Sequence, residues 1–400
     1  MSRLEKINLT NQKVILRTDY NVPLDTSKQP PTIVSTHRID QSLPTINHIL
    51  KQNPSQLIII SHMGRPSGYT PTMSLAPVAT YLQKKLSRDV LFTNLANILS
   101  DRNPNQIVLL ENIRFYPEET RETTSQTQFR KDLTSLGSIF INDAFGCSHR
   151  AHSSIVGIDT PIKCHGFLVE KELKYLQDIF TNNSTKTKCL ILGGSKISDK
   201  IKLIKNLLSK VDYILIGGGM AFTFLKYQDI SIGNSLYDPE GFKMIPDIFQ
   251  EAEKYNTKII LPVDAVCNNS FSNTGDIKTI ILDNSNTPNP SIQIGIPKDY
   301  MGLDIGPNSV ARFNTILKQC DTVIWNGPLG VFEFDNFAHG SMDIMKTLST
   351  LNNSTTVIGG GDTASCCEQS GISDKMTHVS TGGGASLELL EGKKLPGLFI

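Results

Sequence analysis

The sequence predicts an α/β protein of two doubly wound parallel-sheet domains joined by a helix, and three observations support this. The chain has 400 residues, which is long for one domain and suggests two separate cores. Its apolar runs are short, continuous and rich in Val, Ile and Leu, as in strands buried on both faces of a parallel sheet. Between them, apolar residues recur with the 3.6-residue period of a helix.

The predicted strands alternate with helices through both halves of the chain. In the first half they are residues 14–17, 57–61, 90–93, 107–111 and 139–143, and in the second half 189–192, 213–216, 258–261, 322–325, 355–358 and 378–380. Helical stripes are formed by Ile39, Leu43, Ile46 and Leu50 and by Ile197, Ile201, Ile204 and Leu208. Such alternation gives parallel strands with helical crossovers. Each half is therefore expected to be Rossmann-like, with its ligand beyond the carboxyl ends of the strands.

The domain boundaries follow from a helix and a polar turn in the middle of the chain. Residues 169–180 have the pattern of a charged amphipathic helix, and 181–185 are typical of a turn or linker. We expect an N-terminal domain over 1–168, an interdomain helix and linker over 169–184, and a C-terminal domain over 185–383. Residues 384–400 are expected to return towards the N-terminal domain.

Charge and cysteine content exclude several classes of protein. The formal net charge of +1 gives no general attraction to nucleic acid or to an anionic membrane, so neither is expected as a partner. The N-terminus lacks an apolar signal core, and no apolar run approaches the ~20 residues that span a bilayer. The seven cysteines indicate reduced thiols in the cytoplasm. Cys147, His149 and His152 do not have a usual metal-site spacing.

Three glycine triplets, at 217–219, 359–361 and 382–384, each stand between a predicted strand and a possible helix. Glycine at such a turn lets backbone N–H groups approach a ligand without an obstructing Cβ. Three of them in one domain suggest a nucleotide polyphosphate. Gly359, Gly361 and Ala364 also fit the loose dinucleotide pattern, but the acid expected after the next strand is missing, which disfavours NAD. No Walker-type motif occurs.

The strand ends of the first half carry polar and cationic side chains instead. These are Asp19, Asn21, Arg38, His62, Arg65, Arg114 and Arg150. Arginine forks match phosphate and carboxylate oxygens, so we expect a pocket for a small, multiply charged anion. The alternative is that Asp19, Glu111 and Asp143 pair with these arginines in structural salt bridges. His62 could act as a general base, although donation to an anion fits better.

Two lysines stand at a predicted helix start in the second half. Lys196 and Lys200 are four residues apart and are expected on one flank of that helix. Cations at a helix N-terminus are disfavoured unless an anion such as a polyphosphate comes close. The alternative is a pair of solvated lysines, partly offset by Asp199.

Acidic side chains follow two further strands. Asp362 comes directly after a triplet and is the natural oxygen ligand for Mg²⁺ on a nucleotide. The alternative is helix N-capping by Asp362 or Thr363, and both roles can coexist. Glu333 could accept hydrogen bonds from ribose hydroxyls.

Long motifs run through nearly the whole chain in a fixed order. They are RTDYNVP from Arg17, SHMGRP from Ser61, ENIRF from Glu111, NDAFG from Asn142, GGSK from Gly193, GGGMAFTF from Gly217, WNGPLGVFE from Trp325, GGGDTA from Gly359 and STGGGASLELLEG from Ser380. In this order they resemble the phosphoglycerate kinase family. Cys147 and Ser148 stand where that family more usually has Thr and Ala.

The resemblance implies reversible phosphoryl transfer in glycolysis and gluconeogenesis between MgATP and the carboxylate of 3-phosphoglycerate, giving ADP and 1,3-bisphosphoglycerate. It implies that 3-phosphoglycerate is held by Asp19, Asn21, Arg38, His62, Arg65, Arg114 and Arg150. It implies that the nucleotide is held by Gly193, Lys200, Gly217, Gly218, Asn326, Glu333, Gly360, Gly361, Asp362 and Thr363, with Asp362 at the Mg²⁺. It places Arg38, Lys196, Gly361 and Gly383 at the reaction itself. Family members are mostly cytoplasmic monomers that close at a hinge.

The residues suit this chemistry independently. A carboxylate that attacks a γ-phosphoryl group is already ionised, so it needs alignment and charge neutralisation rather than a general base. Our hypothesis is that Arg38 neutralises the acceptor carboxylate, Lys196 follows the transferring phosphoryl group, and Lys200 holds the nucleotide phosphates. A dehydrogenase and a non-enzymatic nucleotide-binding scaffold are the two alternatives.

Overall fold

The computed structural model describes residues 3–100, 107–178, 186–283 and 294–400. The chain divides into two compact units, which we call unit 1 (Met1–Lys174 with Lys394–Ile400) and unit 2 (Tyr175–Lys393). The linker predicted at 181–185 lies outside the described residues. No helix in the described ranges is long and apolar enough to cross a membrane.

Unit 1 contains a six-stranded parallel sheet. Its elements are β1 (Lys13–Arg17), β2 (Leu24–Asp25), β3 (Thr32–Ile33), α1 (His37–Lys51), β4 (Gln56–Ile60), α2 (Ala76–Leu86), β5 (Val90–Thr93), α3 (Leu95–Ser100), β6 (Ile107–Leu110), α4 (Gln126–Thr134), β7 (Ile139–Asn142), α5 (Ser153–Val156), β8 (Ile162–His165) and α6 (Phe167–Leu173). The strand order is β5-β6-β4-β1-β7-β8, with all neighbours parallel. β2 and β3 form a separate antiparallel pair.

Successive residues of β1 explain why its apolar run is continuous. Val14 and Leu16 belong to one buried cluster, whereas Ile15 belongs to a second cluster on the other face of the sheet. Side chains alternate between the faces of a strand. Because helices cover both faces, every position of β1 after Lys13 is buried, and the sequence shows no polar alternation.

Unit 2 contains a second six-stranded parallel sheet and a three-stranded antiparallel one. Its elements are β9 (Lys188–Leu192), α7 (Ile201–Leu207), β10 (Tyr213–Ile216), α8 (Gly218–Tyr227), α9 (Pro239–Lys254), β11 (Lys258–Ile260), β12 (Asp264–Asn268), β13 (Lys278–Ile281), β14 (Met301–Ile305), α10 (Pro307–Leu317), β15 (Thr322–Asn326), α11 (His339–Leu348), β16 (Thr355–Gly359), α12 (Gly361–Gln369), β17 (His378–Val379) and α13 (Gly384–Leu390). The parallel order is β11-β10-β9-β15-β16-β17, and the antiparallel order is β13-β12-β14.

The predicted fold class is confirmed, and every predicted strand occurs with its ends within one residue. The predictions missed β8, the β2–β3 pair and the three-stranded antiparallel sheet. β8 is an edge strand whose burial is incomplete, so it lacks a continuous apolar run. β12 carries Asp264 and Asn268, polar residues that are buried only because of tertiary partners.

The C-terminal tail is part of unit 1. Gly397 N donates to Ser148 O at 2.9 Å, and Asn142 Nδ2 donates to Gly397 O at 2.8 Å. Leu395 is buried, and Ile400 packs against the cluster that contains Phe140. The tail therefore contacts the turn that begins after β7.

Candidate active site

Strand order brings the predicted anion-binding residues of unit 1 to one edge of its sheet. Asp19, His62, Arg114 and Arg150 follow β1, β4, β6 and β7, which lie side by side in the order β6-β4-β1-β7. Arg38 is the second residue of α1. Because the strands are parallel, their carboxyl ends share this edge. The topology therefore agrees with the common edge that the sequence predicted.

Asp19, Arg38 and His62 are the centre of this edge. Arg38 Nη1 lies 2.7 Å from Asp19 Oδ2, and His62 Nε2 lies 3.9 Å from Asp19 Oδ1. Burial alone would raise the pKa of Asp19, but the Arg38 guanidinium, the other nearby cationic side chains and the backbone N–H of Asn21 together outweigh it, and the pKa lies well below its usual value. Burial lowers the pKa of His62 well below its ordinary value. Asp19 is therefore ionised and His62 is neutral at pH 7.

A buried group behind His62 was missed by the sequence prediction. Arg17 is fully buried, and its Nη2 lies 3.5 Å from His62 Nδ1. Its Nε donates to Ser154 Oγ at 2.7 Å, and its Nη2 lies 3.8 Å from Glu119 Oε1. The available signal was an arginine as the last residue of an otherwise apolar buried strand. This contact directs His62 Nδ1 towards Arg17 and His62 Nε2 towards Asp19.

Arg114 joins two neighbouring turns. Its Nη1 donates to Gly64 O at 2.5 Å, and Gly64 N donates to Asn21 Oδ1 at 2.8 Å. Among the described residues, Arg114 Nε is buried and has no hydrogen-bond partner. Arg65 is exposed, and Arg150 Nε donates to His149 Nε2 at 3.1 Å. Arg114 thus retains a donor for an external acceptor.

The alternative of structural salt bridges holds only in part. Asp19 does pair with Arg38. Glu111 instead accepts from Ser74 Oγ and two backbone N–H groups. Asp143 accepts from backbone N–H groups at the start of α6. Glu111 and Asp143 therefore hold the backbone of nearby segments, and Asp19 is the acid that faces the cationic set.

A possible metal-binding group lies in the same place but has an unfavourable environment. Ligand atoms of Asp19, His62 and Cys147 lie within 4.8 Å of one another. Arg38 already pairs with Asp19, and Arg17 lies against the ring of His62. Because cations repel a further cation, this edge favours an anion.

All three glycine triplets of unit 2 lie between a strand and a helix, as the sequence predicted. Gly217, Gly360 and Gly383 are the N-cap residues of α8, α12 and α13. The preceding strands β10, β16 and β17 are parallel members of one sheet. The three turns therefore share its carboxyl edge with Gly193, after β9, and Asn326, the last residue of β15.

The first triplet does not offer two of the donors that such a turn suggests. Gly217 N donates to Leu192 O at 2.8 Å, and Gly218 N donates to Leu329 O at 2.9 Å. The N–H groups of these two residues are therefore already paired, with Leu192 at the end of β9 and with Leu329 in the loop after β15. Leu236, which is 58% exposed, lies over Gly219 and presents an apolar surface there. No sequence signal distinguished Leu236 from a core residue.

Gly193 is required by the close approach of two chain segments. A Cβ on this residue would lie 1.9 Å from Pro328 O. Its N–H donates to Asn326 O at 3.1 Å. The sequence prediction gave Gly193 a binding role, and the structure supplies a packing reason for the same glycine.

Lys200 and Asn326 form the polar centre of the edge. Lys200 Nζ donates to Asn326 Oδ1, and burial lowers the pKa of Lys200. In the described part of the chain, Asn326 Nδ2 is buried without a hydrogen-bond partner. It lies 3.1 Å from the position that a Cβ on Gly360 would take. A buried donor therefore lies beside the second triplet.

The start of α12 excludes one alternative. The N-cap position is occupied by Gly360, and no side chain caps this helix start. Thr363 Oγ1 instead accepts from Gly327 N at 2.7 Å. The hypothesis that Asp362 or Thr363 caps the helix is therefore wrong. Asp362 is exposed in the first turn. Glu333 is also exposed, beyond the end of β15.

The two lysines do not share a helix. The first helical residue of α7 is Ile201, with Lys200 as its N-cap, so Lys196 lies in the preceding loop. The prediction that they share one helix flank is wrong. Asp238 Oδ2 accepts from Ser198 N at 2.9 Å, a contact that holds this loop outside the helix. Lys196 is exposed.

Comparison with known proteins identifies the family of the chain. The sequence model described as phosphoglycerate kinase matches residues 4–393. The chain belongs to the phosphoglycerate kinase family. It is thus a kinase, an enzyme that transfers phosphate to a carboxylate, as the sequence predicted.

Relatives in this family match over nearly the full length. The phosphoglycerate kinase of Dictyostelium discoideum is 43% identical, covering 99% of this chain and 96% of the relative, and that of Saccharomyces cerevisiae is 42% identical with the same coverage. The solved phosphoglycerate kinase of Coxiella burnetii has a TM-score of 0.85 and 34% identity, covering 100% of this chain and 98% of the other.

Proposed function

We propose that this chain catalyses reversible phosphoryl transfer between MgATP and 3-phosphoglycerate, forming ADP and 1,3-bisphosphoglycerate in glycolysis and gluconeogenesis. The observation that carries the proposal is the cationic edge of unit 1, in which Arg114 Nε is buried without a partner among the described residues. A cationic cluster of this kind is unfavourable until an anion binds. The family to which the chain belongs supplies the identity of that anion.

The acceptor is proposed to bind to unit 1. The residues that would hold 3-phosphoglycerate are Asp19, Asn21, Arg38, His62, Arg65, Arg114 and Arg150. Neutral His62 would donate from Nε2, since Arg17 lies against Nδ1. Arg38 would move part of its interaction from Asp19 to the acceptor carboxylate, because its side chain is still 30% exposed.

The nucleotide is proposed to bind to the carboxyl edge of the unit 2 sheet. Lys200, Asn326, Glu333 and the turns at Gly193, Gly217–Gly218 and Gly360–Thr363 would hold it. Asn326 Nδ2 is the donor without a described partner. Because the N–H groups of Gly217 and Gly218 are occupied, these glycines would contribute access for the nucleoside rather than hydrogen bonds.

Asp362 is the residue that would hold the Mg²⁺ of the nucleotide. Its carboxylate is exposed at the start of α12. Magnesium keeps several waters and takes one or two carboxylates together with substrate phosphates, so a single exposed acid fits. The ion would supply positive charge to the nucleotide phosphates.

The proposed reaction uses no general base. An oxygen of the acceptor carboxylate forms a bond to the γ-phosphorus while the bond to the β-phosphate oxygen breaks, and that oxygen keeps the electron pair on ADP. Arg38 and Lys196 would neutralise charge on the acceptor and on the moving phosphoryl group. The helix starts at Gly361 and Gly383 would add backbone donors, since first-turn N–H groups lack an intrahelical acceptor.

Both substrates must meet although their residues lie on different units. We propose that the two substrates together drive closure at the hinge. Scattering profiles with no ligand, each ligand and both ligands test this, and identical profiles would contradict it. We further propose a cytoplasmic location, which the seven free, buried cysteines support. We also propose a monomer, which size-exclusion chromatography with light scattering tests.

A coupled assay tests the activity. The purified chain is mixed with MgATP, 3-phosphoglycerate and a dehydrogenase that consumes 1,3-bisphosphoglycerate with NADH. Turnover that needs both substrates is expected. Binding of NADH without binding of ADP would favour a dehydrogenase, and binding of ADP without turnover would favour a scaffold.

A further inference from the structure

A loop of unit 2 borders two of the glycine turns. We define the corner loop as residues 327–331, directly after β15. Pro328 O accepts from Gly194 N at 3.1 Å, and Leu329 O accepts from Gly218 N at 2.9 Å. The positions of both turns therefore depend on where the corner loop lies.

The corner loop is held from its other side by β14 and α11. Val331 N donates to Leu303 O at 2.8 Å, and Leu329 N donates to Ser341 Oγ at 2.9 Å. Ser341 is fully buried in the first turn of α11. A shift of α11 would therefore move the peptide that contacts Gly218.

Asp304 connects these two supports. It lies in β14, is 2% exposed, and its Oδ2 accepts from Gly340 N in α11 at 2.7 Å. Its Oδ1 accepts from Ile305 N at 2.9 Å. A Cβ on Gly330 would lie 2.2 Å from the same Oδ1, so the corner loop passes directly over the carboxyl group.

We propose that Asp304 is a positioning residue for nucleotide binding, because it fixes α11 and the corner loop and through them the turns at Gly194 and Gly218. Asp304, Leu329 and Gly218 line one small cavity, so no further layer of side chains separates them. This inference rests on the proposed function of unit 2 and assigns a role to a residue that lies behind the nucleotide edge.

The chain offers a matched control in Asp264. It is fully buried in β12, and its carboxylate accepts from Ser309 N at 2.8 Å and Asn308 N at 3.0 Å at the start of α10. A Cβ on Gly306 would lie 2.3 Å from its Cγ. Asp264 is therefore, like Asp304, a buried carboxyl group that accepts from the start of a helix, but it holds the start of α10, whereas Asp304 lies against the corner loop.

The test compares Asp304→Asn with Asp264→Asn in the full chain. We measure KM for ATP and for 3-phosphoglycerate, kcat, Kd for MgADP by calorimetry and thermal unfolding. An Asn at 304 places an NH₂ group against a backbone N–H, which leaves a buried donor unpaired. We expect KM for ATP and Kd for MgADP to rise about tenfold, the factor that corresponds to one lost buried hydrogen bond. KM for 3-phosphoglycerate and kcat at saturating ATP should stay within about twofold.

A milder variant keeps the test decisive if Asp304→Asn does not fold. Ser341→Ala removes the acceptor of Leu329 N and leaves Asp304 unchanged, and it should raise Kd for MgADP without changing KM for 3-phosphoglycerate. The inference is overturned if both variants bind MgADP like the wild type. It is also overturned if Asp264→Asn weakens MgADP binding as much as Asp304→Asn does. Failure of the wild-type chain to bind MgADP would instead refute the proposed function.

Discussion

Replacement of Arg38 by alanine separates a catalytic role from a structural one. The side chain is 30% exposed and pairs with Asp19 at 2.7 Å. Removal of one charged donor aimed at developing charge typically lowers kcat by 10²–10³, or about 2.7–4 kcal/mol. The structural cost is smaller, about 1–2 kcal/mol, since the partial exposure of Arg38 screens the pair. Arg38→Ala should therefore lose at least about a hundredfold in kcat while staying folded at 25 °C.

The coupled assay gives kcat, and circular dichroism gives the midpoint of thermal unfolding. A loss of about 1–2 kcal/mol corresponds to a shift of roughly 2–8 °C for a domain of this size. The control is Lys85→Ala in α2, which removes a 3.6 Å ion pair to Asp40. Asp40 lies in α1, the helix that also carries Arg38. That variant should keep kcat near the wild-type value, because its pair is not part of the cationic edge.

If Arg38→Ala retained kcat within about tenfold of the wild type while its unfolding midpoint fell, the residue would be structural. If Lys85→Ala lost as much activity as Arg38→Ala, a general disturbance of α1 would explain both results. Neither result would affect the assignment of the chain to its family.

Three further predictions follow from buried or crowded positions. Gly193→Ala would place a Cβ 1.9 Å from Pro328 O and should lower the free energy of unfolding by about 3 kcal/mol. Urea unfolding, followed by the fluorescence of the single tryptophan, measures this loss. Gly361→Ala, whose Cβ would have no atom within 4 Å, should be as stable as the wild type but less active. Burial raises the pKa of Asp143 to about 7 from 3.8 in the unfolded chain. The contribution of Asp143 to the free energy of unfolding is therefore greatest below pH 3.8 and is lost as pH rises through 7. Asp143→Asn should reduce the fall in unfolding midpoint between pH 5 and 8, and an unchanged fall would contradict this. Gly397→Ala would place a Cβ 2.9 Å from the backbone of the adjoining turn and should raise KM for 3-phosphoglycerate but not for ATP; equal changes in both would count against a local effect.

The polar groups behind the two edges were less predictable than the edges themselves. Arg17 and Glu119 are charged residues whose burial depends on each other and on Ser154. No local sequence pattern marks Asp304, because the residues against which it lies, Gly330 in the corner loop and Gly340 in α11, are distant in sequence. Such groups are defined by contacts between segments, and a pattern of neighbouring residues does not contain that information.

The sequence was sufficient to predict most strands of the two parallel sheets, the class of fold and the family, and it predicts the edges at which ligands would bind. It could do so because burial of a parallel sheet on both faces requires continuous apolar runs, and because glycine runs and arginine clusters at strand ends are typical of anion-binding sites. Only the tertiary structure decided which donors remain available. Gly217 N donates to the end of β9 and Gly218 N donates to the corner loop, whereas Asn326 Nδ2 and Arg114 Nε are buried without a partner in the described part of the chain. A backbone or side-chain N–H group donates to one strong acceptor, and the contacts formed on folding determine which atom that acceptor is.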